Sequence, residues 1–225
     1  MTTPPALFVS GTDTGVGKTY ASLALMAHAR MAGLSVVGLK PVASGCLPGP
    51  RGPASEDACK LMAQASIRLP YQTVNPWAFE APIAPHLAAS ALGTRIEIAV
   101  VKESLARARS VADLVVVEGI GGWLVPLTET TTVADMVCEL RLPVVLVIGM
   151  RLGCLSHALL TTESIAAHGV DLLGWIANEL DPAMLALDQN VDALRQRIHA
   201  PMLGRLPYAI GASPDDVARH IRLPT

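Results

Sequence analysis

Short, wholly apolar runs alternate along the chain with longer segments of helical character. The strand-like runs cover residues 7–9, 35–39, 114–117, 144–148 and 172–176. The predicted helices cover residues 18–32 (closed by Gly33), 56–65, 96–108, 133–140, 157–168 and 184–198, and a short segment, 202–206, follows the last of them. Parallel strands covered on both faces are continuously apolar and are joined by helices, so this alternation predicts βαβ units. We therefore expect a single α/β domain over residues 1–225, with an open, mostly parallel sheet and helices on both faces.

Two proline-rich stretches interrupt the alternation. Residues 43–55 are dense in glycine and proline, which favours a mobile loop over a regular element. Residues 75–86 carry three prolines around Trp77 and Phe79, and we expect an ordered, non-repetitive cover with an aromatic floor. Both stretches begin or lie near the carboxyl end of a predicted strand, where open α/β sheets bind their ligands.

The composition limits where the protein works and what it binds. Hydrophobic residues make up 51% of the chain and the mean hydropathy is +0.43, values that a buried parallel sheet explains. No apolar stretch reaches the ~18 residues of a membrane helix, and no secretory signal is present, so we expect a cytoplasmic protein. The net charge of −2, without runs of like charge, argues against nucleic acid or a membrane surface as a partner. Cys46, Cys59, Cys138 and Cys154 are too dispersed for a metal or redox pair, and we expect free thiols.

A glycine-rich turn follows the first strand. Its sequence is Gly11-Thr-Asp-Thr-Gly-Val-Gly-Lys18-Thr19, and an Ala/Leu-rich helix comes next. A strand, a glycine-rich turn and a helix N-terminus together form a phosphate-binding loop. Lys18 would reach the β- and γ-phosphates, and the Thr19 hydroxyl would sit on Mg²⁺. Gly11 stands one residue earlier than the usual first glycine. This stretch, called the phosphate loop below, predicts binding of a nucleoside triphosphate and a P-loop NTPase-like fold.

Further charged residues stand at predicted element ends near this turn. Glu118 ends an apolar strand, where a carboxylate is costly to bury unless it is paired or bound to a metal. The glycine run that follows, residues 119–122, leaves N–H groups free to face an anion. Asp57 starts a helix, where capping that helix is the alternative role. Lys40 ends the second strand and would face the same crevice, so that two lysines converge on one phosphoryl group. No motif for an enzyme nucleophile appears, and we expect the substrate itself to accept the phosphoryl group.

Taken together, these motifs resemble the dethiobiotin synthetase family. The matching pieces are the phosphate loop, Lys40-Pro-Val-Ala-Ser44-Gly, Asp57, Pro82-x-x-Pro85-His86, Val116-Val-Glu118-Gly-x-Gly-Gly-Trp123, Leu152-Gly-Cys-x-x-His157 and Gly174-Trp-x-Ala-Asn178. The resemblance runs in register from the first strand to about Pro207. The chain departs from the family pattern at Ala84, Ile120 and Ser156, where serine, alanine and asparagine are frequent.

The resemblance implies an ATP-dependent ligase of biotin biosynthesis. Such an enzyme joins 7,8-diaminononanoate and CO₂ into the cyclic urea of dethiobiotin and releases ADP and phosphate. The implied intermediates are an N-carbamate and a carbamic–phosphoric mixed anhydride. The resemblance also implies Mg²⁺ as cofactor, ATP as co-substrate and a homodimer with its sites at the subunit interface.

Site residues carry over from the resemblance position by position. Lys18 and Lys40 are the implied catalytic residues, and Thr19, Asp57 and Glu118 are the implied Mg²⁺ ligands. The implied ATP-binding residues are Gly15, Val16, Gly17, Lys18, Thr19, Tyr20, Asp57, Glu118, Asn178, Glu179, Pro207, Tyr208 and Ala209. The implied residues for the diamine or its carbamate are Ser44, Gly119, Ile120, Gly121, Gly122, Leu152 and Ser156. The segment around Ser156 would lie at the dimer interface and help to hold the carboxylate tail of the diamine.

Other activities built on the same loop remain open. A nucleotide switch of the partitioning or metallochaperone type is one, although partitioning ATPases carry a lysine where this chain has Asp13. GTP-binding proteins usually offer Asn-Lys-x-Asp, and Ala177-Asn178-Glu179-Leu180-Asp181 has the Asn and the Asp without the Lys. The preferred base is therefore open. A related amide-forming ligase is the remaining alternative.

Overall fold

Six parallel strands form the main sheet. The computed structural model describes residues 5–49, 52–209 and 211–223. In these ranges the sheet consists of β1 (Ala6–Gly11), β2 (Val36–Leu39), β5 (Leu114–Glu118), β6 (Val144–Met150), β7 (Leu172–Glu179) and β8 (Met202–Leu206). Their spatial order is β2-β5-β1-β6-β7-β8, and every neighbouring pair is parallel. The carboxyl ends of all six strands therefore lie along one edge of the sheet.

Helices cover both faces of this sheet. They are α1 (Lys18–Met31), α2 (Glu56–Gln64), α3 (Tyr71–Val74), α4 (Pro85–Ala91), α5 (Ile98–Arg109), α6 (Val133–Leu140), α7 (Cys154–Ala167), α8 (Leu187–Arg197) and α9 (Pro214–Ala218). Strand β1 separates two apolar clusters, because successive side chains of a strand point to opposite faces. Leu7 and Val9 pack with α1 and α9, whereas Ala6 and Phe8 pack with α5, α6, α7 and α8. The predicted α/β fold is confirmed.

A second, two-stranded sheet corrects both expectations for the proline-rich stretches. Strand β3 (Val42–Ser44) pairs in parallel with β4 (Trp77–Phe79), and Val42 lies opposite Trp77. The predicted loop 43–55 thus begins inside a strand, and the predicted cover 75–86 contains β4 and the start of α4. Each strand has only three residues and its partner is distant in sequence, so no local pattern indicates the pairing. Residues 50 and 51 lie outside the described ranges, and the mobility of the loop stays a prediction.

Several helix boundaries also differ from the predicted ones. Helix α7 begins at Cys154, three residues earlier than predicted, because Gly153 turns the chain at φ 94° as its N-cap. Helix α8 begins at Leu187 rather than at residue 184. Helices α3, α4 and α9 were not predicted, and each begins directly at or after a proline. A proline fits the first helical position because the missing N–H has no intrahelical partner there.

The structure also bears on membrane-spanning helices and on the cysteines. Within the described ranges, no helix has both the length and the apolar character needed to cross a membrane. Cys46, Cys59, Cys138 and Cys154 are free thiols.

Candidate active site

A cavity of about 710 Å³ lies at the carboxyl edge of the main sheet. Four predicted site elements meet there: the phosphate loop after β1, Lys40 after β2, Glu118 at the end of β5 and Asp57 in the first turn of α2. The other walls are Ala43, Ser44, residues 82–85, Ile120, Gly121, Val125 and Pro126. The structure thus brings together both lysines and both acids that the sequence predicts to share a crevice.

Two glycines with left-handed backbone conformation shape the phosphate loop, and a side chain from β7 donates a hydrogen bond to it. Gly15 (φ 75°) and Gly17 (φ 91°) adopt a backbone conformation that glycine takes without strain. The Nδ2 amide of Asn178, near the end of β7, donates to the Val16 carbonyl at 2.9 Å. A Cβ on Gly17 would overlap this amide. Since Gly17 is also the N-cap of α1, the loop presents the first N–H groups of that helix at the cavity.

Lys18 is buried within this loop. Its Nζ donates to the Asp13 carbonyl at 2.9 Å. Burial, and after it repulsion from the Lys40 ammonium, lowers the pKa of Lys18 to about 8. The Asp13 carboxylate accepts from the Thr14 N–H at 2.7 Å and pairs with Arg151, directly after β6. The carboxylate of Asp13 therefore stabilises the loop itself, while Arg151 ties it to the neighbouring strand end.

The Lys40 ammonium lies between the two acids. Its Nζ is 2.6 Å from Glu118 Oε1 and 2.9 Å from Asp57 Oδ2, and it donates to the Gly119 carbonyl at 3.0 Å. The Glu118 side chain is fully buried, whereas that of Asp57 is 40% exposed. The Thr19 hydroxyl donates to the same Glu118 oxygen at 2.8 Å. A buried carboxylate is tolerated here because a cation and a hydroxyl both pair with it.

In this cluster, attraction between opposite charges shifts the pKa values more strongly than burial does. Burial by itself would lower the pKa of Lys40, but Glu118 and Asp57 raise it above its ordinary value. Burial by itself would raise the pKa of Asp57, but the Lys40 ammonium and the Thr19 hydroxyl lower it. Both groups are therefore charged at neutral pH. The alternative role of Asp57 as the helix cap is taken by Ser55, whose hydroxyl accepts from the Ala58 N–H.

Thr19, Asp57 and Glu118 offer the oxygen ligands that Mg²⁺ prefers. Glu118 Oε2 is buried and has no hydrogen-bond partner among the described residues. The Asp57 carboxylate is partly open at the cavity wall. Mg²⁺ is commonly held by one or two carboxylates, with water and substrate phosphates completing its shell. The residues present fit such a site. Within the described ranges, no group of three or more His, Cys, Asp or Glu side chains lies close enough together to hold a metal ion.

The glycine run, residues 119–122, fits tightly between the sheet and the cavity. A Cβ on Gly119 would lie 2.8 Å from Cζ of the core residue Phe8. Gly121 takes a left-handed φ of 59°. Ile120 and Gly121 line the cavity together with Ser44, so these three predicted substrate contacts share one space.

Other predicted site residues lie apart from this cavity. Leu152 is fully exposed before α7, and Ser156 is exposed in the first turn of that helix. Glu179, at the end of β7, pairs with Arg205 of β8. Val16 is buried and Tyr20 is partly buried in the apolar cluster of α1, so neither side chain belongs to the cavity lining.

The segment after β8 borders a smaller cavity. Pro207 and Ala209 line a space of about 210 Å³ together with Arg219 and His220. Tyr208 between them is 45% exposed. The predicted contacts of residues 207–209 with adenine stay predictions.

The sequence interpretation missed a pair of polar residues behind Lys40. Asn75 is buried, and its Nδ2 donates to the Lys40 carbonyl at 2.6 Å. The Tyr71 hydroxyl donates to Asn75 Oδ1 at 2.7 Å. The available signal was an asparagine within residues 74–79, whose other members are apolar.

Comparison with known proteins gives the family. The model of the AAA domain family matches residues 5–215. The ATP-dependent dethiobiotin synthetase of Aromatoleum aromaticum (strain DSM 19018 / LMG 30748 / EbN1) is 49% identical over 224 residues, which cover 100% of both chains. The protein of the same name from Xanthomonas campestris pv. campestris (strain 8004) is 48% identical over 220 residues, or 98% of each chain.

Solved structures with low identity share the fold. The MinC:MinD cell division protein complex of Aquifex aeolicus matches with a TM-score of 0.58 and 13% identity, over 96% of this chain and 95% of that one. Cell division protein FtsY of Thermotoga maritima matches with a TM-score of 0.53 and 16% identity, over 96% of this chain and 65% of that one. These likenesses show the fold alone. The identity to full-length relatives goes further: the chain belongs to the family of ATP-dependent dethiobiotin synthetases.

Proposed function

We propose that this protein catalyses the ATP-dependent conversion of 7,8-diaminononanoate and CO₂ into dethiobiotin, ADP and phosphate. One observation carries the proposal. The Lys40 ammonium is fixed between Glu118 and Asp57 in the wall of the cavity that the phosphate loop also lines. Both lysines, together with Ile120 and Gly121 of the glycine run, line this cavity of about 710 Å³, which supports a common phosphoryl site for them. The names of the full-length relatives support the same reaction.

The first step needs orientation more than a reactive side chain. One amine of the substrate attacks CO₂, a C–N bond forms, and the nitrogen loses a proton to give a carbamate. Ser44, Ile120 and Gly121 line the cavity. Ser44 and the N–H groups of the glycine run, residues 119–122, would hold the diamine and then the carbamate. Ile120 narrows this space relative to the alanine that is frequent in the family.

The second step transfers the phosphoryl group to the carbamate. A carbamate oxygen attacks the γ-phosphorus, the bond to the ADP oxygen breaks, and a carbamic–phosphoric anhydride forms. Lys18 and Lys40 would stabilise the negative charge that spreads over the phosphoryl oxygens. The second amine then attacks the carbamoyl carbon, phosphate leaves, and the nitrogen loses its proton as the ring closes.

Mg²⁺ is the cofactor that these residues fit. Thr19, Asp57 and Glu118 would hold it, with Glu118 Oε2 as the unpaired oxygen. A bound Mg²⁺ neutralises charge on the β- and γ-phosphates. For the base, we propose adenine contacts by Asn178, Glu179 and residues 207–209.

A homodimer in the cytoplasm completes the proposal. Leu152 is fully exposed and Leu160 is 63% exposed, which leaves apolar side chains directly before and on α7 for a partner subunit to cover. In the dimer, Leu152 and Ser156 would hold the carboxylate tail of the diamine. Light scattering coupled to size-exclusion chromatography gives the oligomeric state, and a monomer at micromolar concentration would contradict this part.

Product analysis tests the reaction directly. Protein, diaminononanoate, bicarbonate, Mg²⁺ and ATP are expected to release phosphate together with a cyclic urea detected by mass spectrometry. A nucleotide switch would instead hydrolyse ATP at a rate that the diamine leaves unchanged, without the urea. Lys40→Ala is expected to retain ATP binding and to lose most turnover, whereas the exposed Lys102→Ala on α5 serves as the matched control. Loss of ATP binding with unimpaired single-turnover chemistry would contradict the role of Lys40.

A further inference from the structure

A hydrogen-bonded chain joins the backbone of Lys40 to the start of α2. Asn75 Nδ2 donates to the Lys40 carbonyl at 2.6 Å and, at 3.3 Å, to the Trp77 carbonyl. Asn75 Oδ1 accepts from the Tyr71 hydroxyl at 2.7 Å. The Tyr71 oxygen in turn accepts from the Ser55 N–H at 2.7 Å. Ser55 is the N-cap of α2, so the chain ends two residues before Asp57.

The ion pair closes this chain into a ring. Asp57 Oδ2 is 2.9 Å from Lys40 Nζ, and the Lys40 carbonyl is where the chain begins. The two members of the pair are therefore connected twice, once through their charges and once through Asn75, Tyr71 and Ser55. A shift of α2 away from β2 would stretch both connections. Short, well-paired links of this kind define a position, because each group has few alternative partners.

Asn75 and Tyr71 are suited to this role by their surroundings. Asn75 is 2% exposed, and both polar atoms of its amide are paired with protein groups. Burial raises the pKa of Tyr71, so the phenol stays protonated and remains a donor. The Lys40 N–H also donates to the Val74 carbonyl at 2.9 Å, which fixes the lysine backbone from a second side. Neither Asn75 nor Tyr71 lines the main cavity.

We propose that Asn75 and Tyr71 are positioning residues that set the distance between Lys40 and Asp57 for phosphoryl transfer. The inference deepens the proposed function and rests on it. Neither side chain touches the reacting groups, so their effect passes through the lysine and the carboxylate. A displacement of about 1 Å at such a centre costs up to about 100-fold in rate.

Tyr71→Phe is the primary test because it keeps the ring and removes only the hydroxyl. We expect kcat for dethiobiotin formation to fall by about tenfold to 100-fold, while the affinity for a non-hydrolysable ATP analogue, measured by calorimetry, changes less than about twofold. Asn75→Asp is the second variant, since it keeps an acceptor for Tyr71 and removes the donor to the Lys40 carbonyl. Ser66→Ala is the matched control: its hydroxyl also accepts a backbone N–H, that of Val36, at the opposite end of β2.

A double-mutant comparison separates positioning from general destabilisation. In an Asp57→Asn background, Tyr71→Phe is expected to lower kcat less than about twofold, because the carboxylate that it positions is gone. Equal losses of kcat in the two backgrounds, or a loss matched by Ser66→Ala, would overturn the inference. So would unchanged kcat in Tyr71→Phe and Asn75→Asp while the wild-type protein forms dethiobiotin. Wild-type protein that forms no dethiobiotin would instead overturn the proposed function, and this inference with it.

Discussion

Replacing Lys40 with methionine removes an ammonium from between two carboxylates and keeps a side chain of similar length. Glu118 is fully buried, and after the change only the Thr19 hydroxyl remains paired with it. Breaking a buried ion pair by removing one partner costs about 3–5 kcal/mol. The pair with Asp57 adds little, about 0–1 kcal/mol, because that side chain is 40% exposed and screened by water. The expected loss in the free energy of unfolding is therefore about 3–5 kcal/mol.

Urea denaturation of the ligand-free protein measures this loss. Domains of this size unfold with a slope of about 3 kcal/mol per molar urea, so the midpoint is expected to fall by about 1 M or more. The double variant Lys40→Met/Glu118→Gln serves as the control, because it removes the buried charge together with its partner. We expect it to regain more than half of the lost stability. A loss below about 1 kcal/mol in the single variant, or a double variant no more stable than the single one, would refute this account of the cluster.

Three further outcomes are expected. Since the pKa of Lys18 is lowered to about 8, about three-quarters of this lysine is neutral at pH 8.5. A bound triphosphate restores its charge, so calorimetry in two buffers of different ionisation enthalpy is expected to detect an uptake of about 0.7 proton at pH 8.5; equal uptake at pH 6.5 would contradict this. Gly119→Ala forces a Cβ to 2.8 Å from Phe8 and is expected to destabilise by about 1–3 kcal/mol in denaturant melts. Gly122→Ala, with 3.7 Å to its nearest neighbour, is expected to leave the fold stable, and equal losses would be inconsistent with the packing. Asn178→Ala removes the donor to the phosphate loop and is expected to weaken ATP and inorganic tripolyphosphate alike, by up to about tenfold; weakening of ATP alone would indicate a contact with the base only.

The positions of Lys40 and Glu118 in the site could be predicted from the sequence because both residues stand at strand ends. Lys40 and Glu118 follow apolar runs, and the carboxyl ends of parallel strands meet at one edge, so their meeting with the phosphate loop follows from topology. The role of Asp57 could not be decided from the sequence, because a carboxylate in the first turn of a helix is equally well explained by capping of that helix. The structure separates the two roles because Ser55 takes the cap and Asp57 faces Lys40.

Contacts between segments that are distant in sequence could not be predicted in this way. The β3–β4 pair depends on two three-residue segments that meet only in the folded chain. Asn75 acts through the Lys40 carbonyl, and a carbonyl carries no sequence signature. For the same reason the family resemblance implies a base contact for Asn178, but nothing in the sequence indicates its hydrogen bond to the Val16 carbonyl.

Strand β1 has a partner on each side and all six of its residues are buried. Amide hydrogens in such a strand exchange with solvent only when the sheet opens around them, so this strand belongs to the slowest-exchanging part of the domain. The phosphate loop begins at Gly11, the last residue of that strand, and continues through the left-handed Gly15 and Gly17. The Thr12 N–H still donates to the Val147 carbonyl at 3.1 Å, so we expect the change from slow to faster hydrogen exchange to fall after Thr12, inside the phosphate loop.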